Sequence, residues 1–299
     1  MGDEKLKTFV TVVRCGSLSQ AAKELFISQP AVTLQIHKLE KEYKETLLYR
    51  RAKGIELTPT GKVLYEYAQR ISRLYDELTE EMGALSGQVR GTLRIGATLT
   101  VGEYFLPPVL GRFKDEHPET DIILEIENTR RVVDQVAAGN LDCGLVEGPF
   151  ENGLIYAEKL TEDELIFVCS SRHKLANVSE IDLRTLGRES FILREQGSGT
   201  RQVFEDALKR AGFDPSQLKV LIQLGTTQII KSLVAENIGV TVISERTVRS
   251  EIQQGLLKRI PVPSLDLRRT FQFIFKKDMR LSLTTRRFVS QCRQFAGVL

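Results

Sequence analysis

Two helix-start signals stand eleven residues apart near the amino end of the chain, at Ser17 and Ser28. A sequence that restarts a helix this soon has to turn sharply and pack the two pieces together. Ser17-Leu18-Ser19-Gln20 fits an S-x-x-Q capping box, in which the Ser17 hydroxyl and the Gln20 amide satisfy reciprocal backbone N–H groups. A first helix of about two turns follows through Ala21, Ala22 and Leu25, with Ala22 small enough for close approach. Phe26 and Ile27 make an apolar corner. Ser28 then caps a second helix, and Pro30 in its first turn costs nothing because that N–H has no intrahelical partner. Val32, Ile36 and Leu39 recur at spacings of four and three and predict a buried face, leaving Gln29, Thr33 and His37 outward. That row is short, uncharged and rich in hydrogen-bonding groups, which suits reading base edges in a major groove. An ordinary helical hairpin with a polar exterior fits the pattern equally well.

At 299 residues the chain is too long for one typical domain, so two or three cores are expected. The net charge of +3 is nearly balanced, and a nucleic-acid surface therefore has to be local. With 41% hydrophobic and 27% charged residues the composition is that of a folded soluble protein. No apolar run approaches the roughly 20 residues that span a bilayer. The leading MGDEKLKTF carries acids and no apolar h-region, so a cytoplasmic protein without a membrane partner is expected. Cys15, Cys143, Cys169 and Cys292 are scattered without a C-x-x-C pair, and the three histidines lie equally far apart; no metal is expected. There is no nucleophile elbow, P-loop or carboxylate pair. Gly197-Ser198-Gly199-Thr200 lacks the Lys and spacing of a Walker motif, and neither enzymatic activity nor a bound cofactor is expected.

Leu6, Phe9, Val10 and Val13 form a helical stripe able to cover the two short helices. After them, residues 47–57 read as two short strands around a basic turn ending in Gly54, which completes a winged helix-turn-helix. Arg50, Arg51 and Lys53 would meet phosphates or a minor groove there, or else form a solvated turn. Thr58-Pro59 opens a long helix to about Ser86. Leu64, Ile71, Leu78 and Leu85 fall every seven residues, with Tyr67 and Leu74 between them and Glu81 breaking the seam. The stripe wants a partner, either a second copy or the chain's own second domain.

Gly87 to Gly91 reads as a linker, and strands and helices alternate beyond it. The spacing predicts βαβ units with a largely parallel sheet, arranged as two α/β lobes around a cleft. The expected divisions are 1–58 for the winged helix-turn-helix, 59–87 for the dimerisation helix and 88–90 for a hinge. Residues 91–162 with 268–299 form the first lobe and 163–267 the second.

In this order the elements resemble the LysR-type transcriptional regulators over essentially the full length. The resemblance is carried by Phe9, Gly16, Ser17, Ala21-Ala22, Leu25, Ser28-Gln29-Pro30-Ala31-Val32-Thr33, Ile36, Leu39-Glu40, Arg50 and Leu57-Thr58-Pro59-Thr60-Gly61. Tyr43-Lys44 stands where the family usually has Leu-Gly, and Leu48 where it usually has Phe, which puts the packing of the wing in question. Arg194-Glu195-Gln196-Gly197-Ser198-Gly199-Thr200-Arg201 resembles the loop of a subset that regulates sulfur, nitrogen and carbon assimilation. The resemblance implies a periplasmic-binding-protein-like effector domain and a homotetramer built as a dimer of dimers. It also implies promoter DNA and a small co-inducer as partners, with RNA polymerase a candidate third.

The family's co-inducer positions match Thr98 and Thr100 after the first strand of the first lobe, with Asn128 and Thr129 after its second. From the second lobe they match Gln196, Ser198, Gly199, Thr200, Arg201 and Thr226. Hydroxyls and helix N-termini favour an anion. Arg201 either clamps that anion or pairs with Glu205 four residues on; Thr98 and Thr100 are either ligand groups or simple helix caps.

Overall fold

The computed structural model describes residues 4–51, 54–85 and 89–297. Contacts divide the chain into two units, residues 1–91 and 92–299. In the first, α1 (Glu4–Cys15), α2 (Leu18–Glu24) and α3 (Gln29–Tyr43) enclose a core of Phe9, Val12, Ala21, Val32, Ile36 and Leu39. The two serine caps are in place: Ser17 accepts from the Gln20 N–H at 3.4 Å, the serine half of the expected capping box, and Ser28 from the Ala31 N–H at 3.3 Å. Antiparallel strands β1 (Leu48–Arg51) and β2 (Gly54–Leu57) form the wing, with Leu48 opposite Leu57 and Arg51 opposite Gly54. Leu48 is buried in the domain core, so the shorter side chain leaves the wing seated.

Helix α4 (Pro59–Leu85) begins at the wing because Thr58 ties the two together. Its hydroxyl donates to the Thr46 carbonyl at 2.7 Å and accepts from the Gly61 N–H at 2.9 Å. A methyl group at Gly61 would come within 2.1 Å of the Leu47 carbonyl oxygen, so the helix can lie this close only with glycine there. No described helix is long and apolar enough to cross a membrane.

The second unit contains two α/β lobes. The first holds β3 (Gly91–Ala97), a π-helical turn (Val101–Phe105), α5 (Leu106–Glu116), β4 (Thr120–Ile126), α6 (Thr129–Ala138) and β5 (Cys143–Glu147). Strand β6 (Ile155–Ser170) leads into the second lobe. That lobe contains α7 (Leu183–Gly187), β7 (Ser190–Arg194), α8 (Gly199–Arg210), β8 (Lys219–Leu224), α9 (Thr227–Ala235), β9 (Thr241–Ser244), α10 (Glu245–Gln253) and β10 (Leu257–Ile260). Strand β11 (Arg268–Lys276) returns, and α11 (Leu283–Ala296) packs on the first lobe. Each lobe has its own core, one around Phe105, Phe113, Phe271 and Phe288, the other around Phe167, Phe191 and Phe204.

The sheets are more mixed than the alternation predicts. β3–β5 and β7–β8 are parallel, whereas β11 runs antiparallel to β5 and β6, and β6 antiparallel to β9 and β10. The reason is that β6 is one 16-residue strand shared by both lobes, and Glu158, Lys159, Glu162 and Asp163 lie along its course from the first lobe. That charged stretch has no strand pattern of its own; pairing with β11 from Ile155 to Glu164 makes it one.

Candidate functional site

Two groups of functional side chains emerge, one in each unit. On α3, Val32, Ile36 and Leu39 are buried, and Gln29, Pro30 and His37 are exposed, as the periodicity requires. Thr33 is half-buried, so only part of its side chain is available to a partner. His37 Nδ1 lies 3.3 Å from Glu40, whose other oxygen accepts from the Leu47 N–H at 3.1 Å; the outward row is thereby fixed to the wing. Arg51 is exposed on β1, with its guanidinium 5.3 Å from the Tyr49 ring centroid and 3.4 Å from Glu56. Arg50 lies on the same strand, and Lys53 falls outside the described residues. Gly54, at φ +126°, brings the wing to Gly16 in front of α2: a methyl group would lie 3.1 Å from the Gly16 carbonyl oxygen. His37 on α3 and the Gly16 turn before α2 are thereby both brought to the wing.

Along α4, Tyr67, Ile71, Leu74 and Leu78 are exposed, and Val63, Tyr75 and Met82 extend the apolar strip. Leu64 departs from the expected seam and packs against the core of its own domain, next to buried Ala68. Its turn of helix lies beside α1, which claims that face first.

The second group lies between the lobes. Thr98, Thr100 and Thr129 from the first lobe and Ser198, Gly199, Thr200 and Arg201 from the second are all buried. The Thr98 hydroxyl donates to Glu147, and the Thr100 hydroxyl accepts from Arg269 beside it. Thr129 donates to the Glu147 carbonyl oxygen at 3.0 Å. Thr100 precedes the π-helical turn but makes no side-chain cap there, and its hydroxyl is turned to Arg269 instead. Asn128, by contrast, is spent as the cap of α6, accepting from the Arg131 N–H at 3.1 Å. Gln196 and Thr226 are exposed, and Thr226 makes no side-chain cap.

At the centre is a group that the sequence reading did not single out. Arg269, with its side chain 1% exposed, donates from Nε to Asp163 at 2.7 Å, from Nη1 to the Thr200 hydroxyl at 2.9 Å and from Nη2 to the Thr100 hydroxyl at 3.4 Å. Glu147 lies 3.6 Å from Nη1, and Arg246 stands 3.4 Å from Asp163. Arg269 and Asp163 are cross-strand partners on β11 and β6, where the chain passes between the lobes. Burial pushes the Glu147 carboxyl above its ordinary range, against the opposing pull of Arg269 and Arg194; Asp163 adds to the rise and the Thr100 hydrogen bond subtracts. Arg269 shares the inward phase of β11 with Phe271 and Phe273, and a charged residue on the apolar phase of a strand was the available signal.

Arg201 is engaged within the second lobe. It donates to Glu205 at 2.6 Å, to Gln223 at 2.7 Å, to the Arg194 carbonyl at 3.2 Å and to the Gln196 amide oxygen at 2.8 Å. The Glu205 pair is largely buried rather than at the surface. The lobes also touch where Lys231 Nζ meets the Tyr104 hydroxyl at 3.2 Å, while holding Glu251 at 2.7 Å and the Thr247 carbonyl at 2.9 Å.

Comparison with known proteins places this arrangement. The family described as LysR substrate binding domain matches residues 86–297, and that described as bacterial regulatory helix-turn-helix protein, lysR family, matches residues 4–62. The chain belongs to the LysR family of transcriptional regulators.

Among curated relatives of this LysR-family regulator, HTH-type transcriptional regulator CysL of Bacillus subtilis (strain 168) is 34% identical over 269 residues, 90% of this chain and 89% of that protein. A probable RuBisCO transcriptional regulator of Emiliania huxleyi is 32% identical over 91% of this chain and 87% of its own. Among solved structures, the regulatory domain of Synechocystis PCC6803 CcmR in complex with 2-PG superposes with a TM-score of 0.63 at 26% identity, covering 69% of this chain and 97% of that one. Full-length CbnR with its target DNA gives a TM-score of 0.68 at 21% identity, over 99% of this chain and 100% of that one, and shares the fold. The LysR-family regulator is thus a DNA-binding protein with a helix-turn-helix domain and an effector-binding domain, and not an enzyme.

Proposed function

We propose that this LysR-family protein is a cytoplasmic homotetramer whose grip on promoter DNA is set by a small anionic metabolite bound between its lobes. The carrying observation is the buried ring of threonine hydroxyls from both lobes around the Arg269 guanidinium. Hydroxyl donors and a guanidinium suit an acid or oxyanion such as an organic acid, an O-acetylated amino acid or an inorganic oxyanion. The 2-PG bound by the CcmR regulatory domain supports a ligand of this kind. Ser198, Gly199 and Thr200 open α8 at the same place, and a helix N-terminus favours negative charge.

DNA is contacted through Ser17, Ser28, Gln29, Pro30, Thr33 and His37, with Arg50, Arg51 and Lys53 on the phosphates. The exposed strip of Tyr67, Ile71, Leu74 and Leu78 pairs two copies; the side chain of Leu85, the last residue of the heptad series, lies outside the described ones. A division of the lobes at 162–163 and 267–268 is supported by their cores, which draw on Leu165 and Leu267 on one side and Leu160 and Phe271 on the other. RNA polymerase is the partner through which promoter occupancy is read.

Ligand control requires the effector to bind two quaternary states with different affinity. The test is a titration calorimetry panel of small acids and oxyanions, followed by footprinting and DNA-bending assays with a promoter fragment retained from the protein's own genome. A small acid should bind and alter footprint or bend. Binding only to bulky apolar aromatics, or an unaltered complex at saturation, overturns the proposal.

A further inference from the structure

Arg269 is an unusual guanidinium because only one of its edges meets a full hydrogen-bonded ion pair. Its Nε holds Asp163 at 2.7 Å, but the two terminal nitrogens donate to neutral hydroxyls, of Thr200 in one lobe at 2.9 Å and Thr100 in the other at 3.4 Å. The Glu147 carboxylate, at 3.6 Å, stands beyond hydrogen-bond reach of the same guanidinium. An ionised acceptor makes a shorter and stronger bond to a guanidinium than a hydroxyl does, and a bidentate acid matches the fork.

The surrounding charges restrict what that acid can be. Arg269 and Arg246 face Asp163 and Glu147, and Arg194 is already paired with Glu195 at 2.8 Å. The buried cluster is therefore balanced, and an acid that enters this poorly solvated place has to bring a donor for the carboxylate already there. A hydrogen-bond donor next to the acid would satisfy Glu147, one of whose oxygens accepts from Thr98. Resting on the reading of the cleft as the effector site, we propose that Arg269 recognises the effector's acidic group, exchanging its two threonine hydroxyls for the ligand, while Glu147 takes a donor on the adjoining carbon. The ligand class is a small 2-hydroxy or 2-amino acid. Because one of those threonines belongs to each lobe, the exchange rewrites both ends of the bridge between them, which couples occupancy to lobe position.

The experiment titrates the full-length protein with glycerate, serine and O-acetylserine, each against its neutral amide, and with propionate, which lacks the donor. Wild type should bind at least one donor-bearing acid, with its amide and propionate on the order of 10- to 100-fold weaker. Arg269→Met should abolish the preference for acid over amide, and Arg269→Lys, which keeps the charge but not the fork, should retain part of it. Since Arg269→Met leaves buried carboxylates uncompensated, the double variant Arg269→Met with Asp163→Asn is measured beside it, with thermal melts as the check on folding. If Thr100→Val and Thr200→Val weaken binding while the acid preference survives in the Arg269→Met proteins, the role of Arg269 is overturned and the cleft stands. If an acid binds but the threonine variants leave its affinity untouched, the cleft reading itself falls. Failure of every acid to bind, or equal affinity for propionate, overturns the ligand class.

Discussion

The Glu147 side chain, 2% exposed, shows how much a single residue in this cleft is asked to tolerate. Burial raises its carboxyl above the ordinary value of 4.5, because the surroundings solvate the charge less well than water does and the nearby cations do not fully make up the difference. A carboxyl raised in the folded state contributes stability that is present below the unfolded value and is lost as pH climbs through the folded one. Glutamine mimics the protonated form at every pH. Glu147→Gln should therefore melt progressively higher relative to wild type as pH rises from 5 to 8, and melting curves in a constant-ionic-strength buffer series check this; a difference that shrinks with pH would contradict it. Lys44 shows the same tolerance of local cost in the backbone. It takes the left-handed conformation, φ +56°, at the end of α3, where glycine is the usual residue. Left-handed geometry costs a non-glycine residue roughly 1–2 kcal/mol, so Lys44→Gly should stabilise the helix-turn-helix domain by about 1 kcal/mol in denaturant titrations.

At the scale of elements, the approach of α8 to the end of β5 sets the geometry of the cleft. A methyl group on Gly199 would lie 1.9 Å from the Glu147 carbonyl oxygen and 2.7 Å from the Thr129 hydroxyl, so the first turn of the helix touches backbone of the other lobe. Gly199→Ala should force the lobes apart there and lower effector-domain stability by about 1–3 kcal/mol, the usual cost of overpacking. It should also weaken ligand binding; unchanged melting and unchanged affinity would show that the contact is not needed. Sequence reading placed this loop in the cleft but not the reason for its glycine, because the neighbour lies 52 positions away along the chain. Legibility followed the range of the interactions. Ser17, Ser28, Thr58 and the α3 stripe act on neighbours within a few residues, and their caps and burial match the pattern. Arg269 and Asp163 meet only through strand pairing, so neither shows its partner in the sequence around it. Leu64 repeats in phase with Ile71 and Leu78, but α1 reaches it first, which no heptad pattern encodes.

For the whole molecule, the decisive quantity is how many reading heads sit on DNA at once. On the proposed reading of base edges by Gln29 and Thr33, replacing either by alanine should lower the preference for target over random DNA by on the order of 1–3 kcal/mol while leaving the salt dependence intact. Arg51 is exposed at the wing, and replacing it should weaken binding to every sequence. Each neutralised phosphate contributes about 0.9 to the slope of log affinity against log salt, and the same substitution is repeated in every copy of the chain. Arg51→Ala should then lower the slope by about 0.9 for one engaged head, about 1.8 for a dimer and about 3.6 if all four heads of a tetramer hold the duplex. The exposed apolar strip of α4 argues for at least two. Fluorescence anisotropy on a target fragment between low and moderate salt measures the difference directly. A loss near 1.8 that becomes 3.6 on a longer fragment would identify a dimer of dimers spanning two sites, whereas a value of 0.9 on both would mean that a single head carries the binding and that pairing along α4 plays no part in it.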